Sequence, residues 1–172
     1  MGKPSAKLKK VVANIKTPFL NIQGEWEADE SEQKAAWELY VELVTRIAVV
    51  ELKPDEGLLR EALTSLYQIF SETRQILRKY GPVVAQPKGG GKLSFGVIAV
   101  TVLNSAIRPI LAKWHPLLMT YENTRGPGIS PADHEAKWEY NEELRKLLYG
   151  LQDTMKQYAL LLADAAGVPP IQ

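Results

Sequence analysis

Two stretches of this chain repeat their core-type side chains at alternating steps of four and three, and no other feature limits the fold as tightly. Leu59, Leu63, Leu66, Phe70, Thr73, Leu77 and Tyr80 make one series; Leu144, Leu148, Leu151, Met155, Tyr158, Leu162 and Ala165 make the other. A helix turns once in about 3.6 residues, so this spacing lays a seam along each helix that another element must cover.

Two further long helices can be read between and before these seams. "ADESEQKAAWELYVELVTRIAVVEL" opens on Asp29 with Glu32 three residues on, an N-cap with an acidic partner, and carries Trp37, Tyr40, Val44 and Ile47 on one face. It is expected to stop near Lys53, because the residue before Pro54 is pushed out of the helical region. Pro54, Asp55 and Glu56 then start the first seam helix, and Gly81-Pro82 end it. The fourth helix spans roughly Leu93 to Glu122 and closes at "NTRGPG". Ser130 as N-cap, Pro131 at N1 and Asp133 at N3 start the last helix, which is expected to run unbroken to Gly167 before Pro169-Pro170.

Near the N-terminus, Leu8, Val11, Val12 and Ile15 fall at i, i+3, i+4 and i+7 among Lys7, Lys9, Lys10 and Lys16, which reads as a short basic amphipathic helix. No stretch reads as a strand. The expected fold is therefore all-α: a four-helix bundle of long antiparallel helices with a short N-terminal amphipathic helix. The organisation expected is a basic arm over residues 1–22 and one bundle domain over 23–172, with a flexible loop at 81–92 around "KGGGK".

Composition excludes several chemistries. Cysteine is absent, which removes disulfides, thiolate catalysis and cysteine zinc sites. A net charge of +1 supplies no general field for nucleic acid, so none is expected as a partner. With no signal-type apolar segment at the start, the expected location is cytoplasmic. The apolar run Leu93–Ile107 contains Ser94, Thr101, Asn104 and Ser105 and leads into Arg108, which favours a core helix over a membrane span.

The familiar motifs fail on inspection. Gly91-Lys92 is followed by Leu93 and preceded by no strand, which rules against a phosphate-binding loop. Neither His115 nor His134 has Glu three residues before it, so a bundle di-iron site and a histidine zinc site are both unsupported, and no metal or cofactor is expected. The paired carboxylates lie at helix starts or on exposed faces.

The anomaly is "SAIRPILAKWHP". Thr101, Asn104, Arg108 and His115 form a polar line on an otherwise apolar helix, and Pro109 and Pro116 each remove a backbone hydrogen bond. Either the line faces solvent, with Arg108 pairing to a carboxylate such as Glu38, Glu42 or Glu61, or it borders a cleft. The candidate ligand- or partner-binding residues are Asn104, Arg108, Lys113, Trp114, His115 and Arg125, the last in a Gly-Pro loop beside the Ser130 helix start. With no catalytic constellation, the reading is a non-enzymatic interaction, adaptor or assembly subunit that self-associates or holds a protein partner. The alternative is a regulatory bundle that binds a small anionic, nucleotide-like ligand near Arg108 and His115.

Overall fold

The computed structural model describes residues 7–46, 53 and 56–171. Its first elements overturn the all-α expectation. Lys9–Lys16 is a strand, β1, and Asn21–Ala28 is a second, β2; they pair antiparallel with Lys9 opposite Ala28 and Lys16 opposite Asn21. The protein is thus a mixed fold, a two-stranded hairpin laid on helices, and not a pure four-helix bundle. The physical reason lies in Ala13. Val11, Ala13 and Ile15 point inward while Lys10, Val12, Asn14 and Lys16 point to water, a strand's period of two. A small alanine hides that alternation, and the exposed Val12 beside Val11 imitates a helical stripe.

In β2, Ile22, Trp26 and Ala28 face the core. Thr17 and Leu20 exchange backbone hydrogen bonds of 2.9 and 3.3 Å across the turn, and the Thr17 hydroxyl meets that of Thr154 at 2.7 Å.

Among the described residues the helices are α1 (Glu30–Val44), α2 (Leu59–Tyr80), α3 (Phe95–Glu122), α4 (Pro131–Ala136) and α5 (Asn141–Ala166). The α1 start has the anticipated reciprocal cap: the Glu32 amide donates to the Asp29 side chain at 2.9 Å, and the Asp29 amide donates to Glu32 at 3.3 Å. Its inward face is Ala35, Ala36, Leu39, Tyr40 and Leu43, with Trp37 exposed instead. The expected continuation over 47–52 and the Pro54-Asp55 start lie outside the described residues.

Both seams do face inward. In α2, Leu59, Leu63, Leu66, Phe70 and Thr73 are buried; in α5, Leu144, Leu151, Met155, Tyr158, Leu162 and Ala165 are buried, and Leu148 packs half-buried against them. The helix from Ser130 to Gly167 is broken, however. Ser130 caps α4 as read, accepting from the Asp133 amide at 3.1 Å, but α4 ends after one and a half turns, and Trp138 turns into the core before α5 begins. Gly167, in the left-handed region at φ 74°, ends α5.

The α3 helix passes Pro109 by widening, while Pro116 lies inside its regular stretch. Leu103–Ile107 forms a π turn in which the Arg108 amide reaches back to the Leu103 carbonyl. This wide turn lies directly ahead of Pro109, where a regular helix would set the ring against a carbonyl.

The glycine loop is tied to β2. Lys88 ion-pairs with the fully buried Glu32, and Lys92 with Glu27 at 2.9 Å. The Leu93 amide donates to the Glu25 carbonyl at 2.7 Å. Its two lysines are thus neutralised by glutamates. Glu32 also accepts from the Trp26 indole at 2.7 Å and from the Phe95 amide at 2.9 Å, so one carboxylate joins β2, α1, the glycine loop and the α3 N-terminus. At that N-terminus Gly96 lets α3 meet the 3-10 turn Pro82–Ala85, for a Cβ there would stand 2.5 Å from that of Ala85.

Candidate functional site

The C-terminal half of α3 brings together what the chain keeps far apart. Arg60, near the start of α2, holds Glu122 in a two-pronged pair: Nε to Oε1 at 2.7 Å and Nη2 to Oε2 at 3.0 Å. Its remaining nitrogen, Nη1, donates to Nδ1 of His115 at 2.9 Å, so the His115 proton sits on Nε2 in this arrangement. Beside this trio lies a cavity of about 390 Å³ between α2, α3 and α4, walled by Leu118, Tyr121, His134 and Glu135 and rimmed by Arg60 and Arg125.

Glu135 sets the architecture of that cavity. It is buried, and its Oε1 accepts from the Leu59 amide at 2.8 Å, which caps the first turn of α2, and from Arg145 at 3.4 Å. Burial pushes its carboxyl above the ordinary range, against the lowering effect of the amides and of Arg145. A carboxyl that is raised in the native state is harder to ionise there than in the unfolded chain. Its contribution therefore favours the fold at low pH and is lost as pH climbs from the ordinary carboxylate value through the raised native one. Stability of Glu135→Gln measured against pH is expected to lack this component, so that the variant gains on the wild type between acid and neutral pH. Parallel curves for the two proteins would show that Glu135 ionises freely in place.

An aromatic cluster extends from the Tyr121 and His134 wall. Tyr121 stacks on His134 at 4.1 Å between centroids, and the Tyr121 hydroxyl donates to the His134 carbonyl at 2.6 Å. Trp138 stacks on Tyr121 at 5.7 Å and meets Trp114 and Tyr140 edge-on at 6.2 and 5.5 Å.

The residues singled out in the sequence fall into separate groups. Asn104 and Arg108 are exposed on the middle of α3, joined at 3.1 Å, and the Arg108 guanidinium lies 5.3 Å from the Phe70 ring, which Arg74 approaches at 5.5 Å. Arg108 thus pairs with none of the expected carboxylates: Glu38 takes Lys79 and Tyr80, and Glu42 takes Arg46. An exposed guanidinium needs no buried partner. Trp114 is buried in the aromatic wall with Lys113 over its ring at 4.7 Å. His115 joins Arg60 and Glu122, and Arg125 stands alone at the rim, its side chain making no hydrogen bond or ion pair among the described residues.

Sequence reasoning missed Arg60, Glu122, Tyr121, His134 and Glu135. Arg60 and Glu122 are 62 positions apart, and no local spacing joins them. The cavity also carries three carboxylates, Glu61, Glu122 and Glu135, against the guanidiniums of Arg60 and Arg125. Arg60 is already engaged by Glu122, so an entering anion meets more negative than free positive charge. Comparison with family models, with curated proteins and with solved structures finds no match for this chain.

Proposed function

We propose that the protein is a non-catalytic interaction module that docks a second copy of itself through the outer face of α3. The observation that carries this reading is the apolar character of a helix that the fold only half covers. An 18-residue window of α3 has a mean hydropathy of 1.7, yet half of it is buried. Outside, Val97 and Val100 are 52% and 44% exposed near one end, and Met119 and Leu117 are 44% and 39% exposed near the other. Polar Asn104 and Arg108 lie between them. Apolar patches rimmed by polar groups are how soluble proteins meet partners, and a matching face on another copy buries them at the least cost. By length and composition alone α3 could also cross a membrane, but its buried half belongs to this protein's own core.

Light scattering on the purified chain is expected to give a mass of two chains or more. The double variant Val97→Lys/Val100→Lys changes only exposed side chains, so it should fall to the mass of one chain with its thermal midpoint retained. A wild type that stays a single chain across the concentration series removes the reading.

A further inference from the structure

The hairpin offers a second surface, independent of the α3 face, and its geometry names its occupant. Glu25 directs its carbonyl away from β1, since that oxygen accepts the Leu93 amide at 2.7 Å. Glu25 stands opposite Val12, so this is a non-hydrogen-bonded pair, and the Val12 amide and carbonyl also point away from β2. The same holds at every second residue: Lys10, Val12, Asn14 and Lys16 direct their backbone groups to the free edge of β1. Among the described residues no backbone or side-chain group bonds to them there. Val12 is 75% exposed, and Lys10, Asn14 and Lys16 are exposed with it. The outer edge of β2 is taken at its C-terminal end, where Leu93 pairs beside Trp26 and Lys88 donates to the Glu27 carbonyl.

Charge decides what can lie there. From Lys7 to Leu20 the chain has four lysines and no acid. Lys9 is occupied by Asp164 at 3.7 Å on the inner side, while Lys10, across from a Glu27 that Lys92 already holds at 2.9 Å, and Lys16 stand on the outer face at the two ends of the strand. A second copy is disfavoured: in the centred antiparallel register Lys10 faces Lys16 twice, and like charges directly opposite repel. Lysines on an edge thereby protect it from self-pairing, and the same lysines attract carboxylates. We infer that the free edge of β1 takes an extended acidic segment of another protein as a third strand. Alternate backbone groups of that segment bond Lys10, Val12, Asn14 and Lys16, and its outward carboxylates pair with Lys10 and Lys16.

The test uses the full chain and a fluorescent peptide of alternating Glu and Val, as long as β1, against its Lys-Val counterpart. The Glu-Val peptide is expected to bind, to weaken with added salt, and to leave the Lys-Val peptide without a signal. Amide exchange should slow on binding at Lys10, Val12, Asn14 and Lys16 and stay unchanged at Val11, Ala13 and Ile15, whose amides already pair with β2. Lys10→Glu/Lys16→Glu touches only exposed groups and should lower affinity for Glu-Val by about tenfold or more while admitting Lys-Val. Val12→Pro should abolish binding by removing one edge amide; its fold is checked by circular dichroism, and if it unfolds, the exchange pattern and the charge reversal decide. Equal binding of the two peptides, no binding of either, or protection elsewhere than these alternate amides overturns the inference. Since Val97→Lys/Val100→Lys leaves β1 intact, that variant should bind the peptide as the wild type does, whatever becomes of the α3 reading.

Discussion

Glu32→Ala is expected to cost about 3–5 kcal/mol of unfolding free energy, the cost of removing one member of a buried ionic cluster and stranding the rest. The Trp26 indole and the Phe95 amide lose their acceptor and the Lys88 ammonium its carboxylate, keeping only the Glu27 carbonyl, and no water-facing substitute is at hand because Glu32 is fully buried. The loss falls on three elements at once, so the hairpin and the α3 N-terminus should loosen together. At roughly 2–4 °C per kcal/mol for a domain of this size, the melting midpoint should drop by on the order of 10 °C. Lys88→Ala leaves the carboxylate with its indole and amide donors and should cost less. A Glu32→Ala midpoint within about 2 °C of wild type would mean that the cluster contributes little beyond packing.

Trp138→Ala should cost a similar amount, about 3–5 kcal/mol, for a different reason. Trp138 fills the corner where α4 stops and α5 begins, and it touches Tyr121, Trp114 and Tyr140. Truncation leaves a hole the size of an indole that no neighbour can refill without moving a helix. The near-ultraviolet dichroism should collapse along with the stability, because one indole is gone and the three rings it touched lose their fixed geometry. Trp138→Phe keeps an edge for Trp114 and should recover much of the loss. Retention of both stability and the aromatic dichroism in Trp138→Ala would show that the corner is held by Glu135 and the helix caps alone.

These two residues also mark where the sequence stops being readable. Caps and seams are local, and they were legible: Asp29 and Ser130 start helices, and Leu59 through Thr73 and Leu144 through Ala165 face the core. The hairpin was not, because its inward set is small and sparse. Only Ile22 and Trp26 are large in β2, and they stand four apart, a spacing that suits a helix as well as a strand. The α4–α5 break was hidden because "PADHEAKWEY" contains neither glycine nor an internal proline; it is imposed by the burial of Glu135 and Trp138, which only the tertiary neighbours decide. The candidate site suffers from the same distance. His115 was visible as an oddity on α3, but Arg60, which binds it, sits in an ordinary-looking first turn of α2. One signal for the π turn was present: Val102, Ala106, Ile110, Trp114 and Leu118 are all buried at successive steps of four, a row that drifts by about 40° per step in a regular helix.

The π turn at Leu103–Ile107 makes α3 two segments set at different azimuths. A regular helix advances about 100° per residue, so a turn that holds one extra residue retards everything beyond it by about that angle. Deleting a single position between Leu103 and Ile107 would remove that residue and its retardation together, so Ile110, Trp114 and Leu118 would still face the core and His115 would still face Arg60, whereas a deletion elsewhere in α3 would swing them off by about 100°. The wide turn therefore acts as a slack link, the place where α3 can carry one residue more or less while the distal half, every cap and both seams keep their aim.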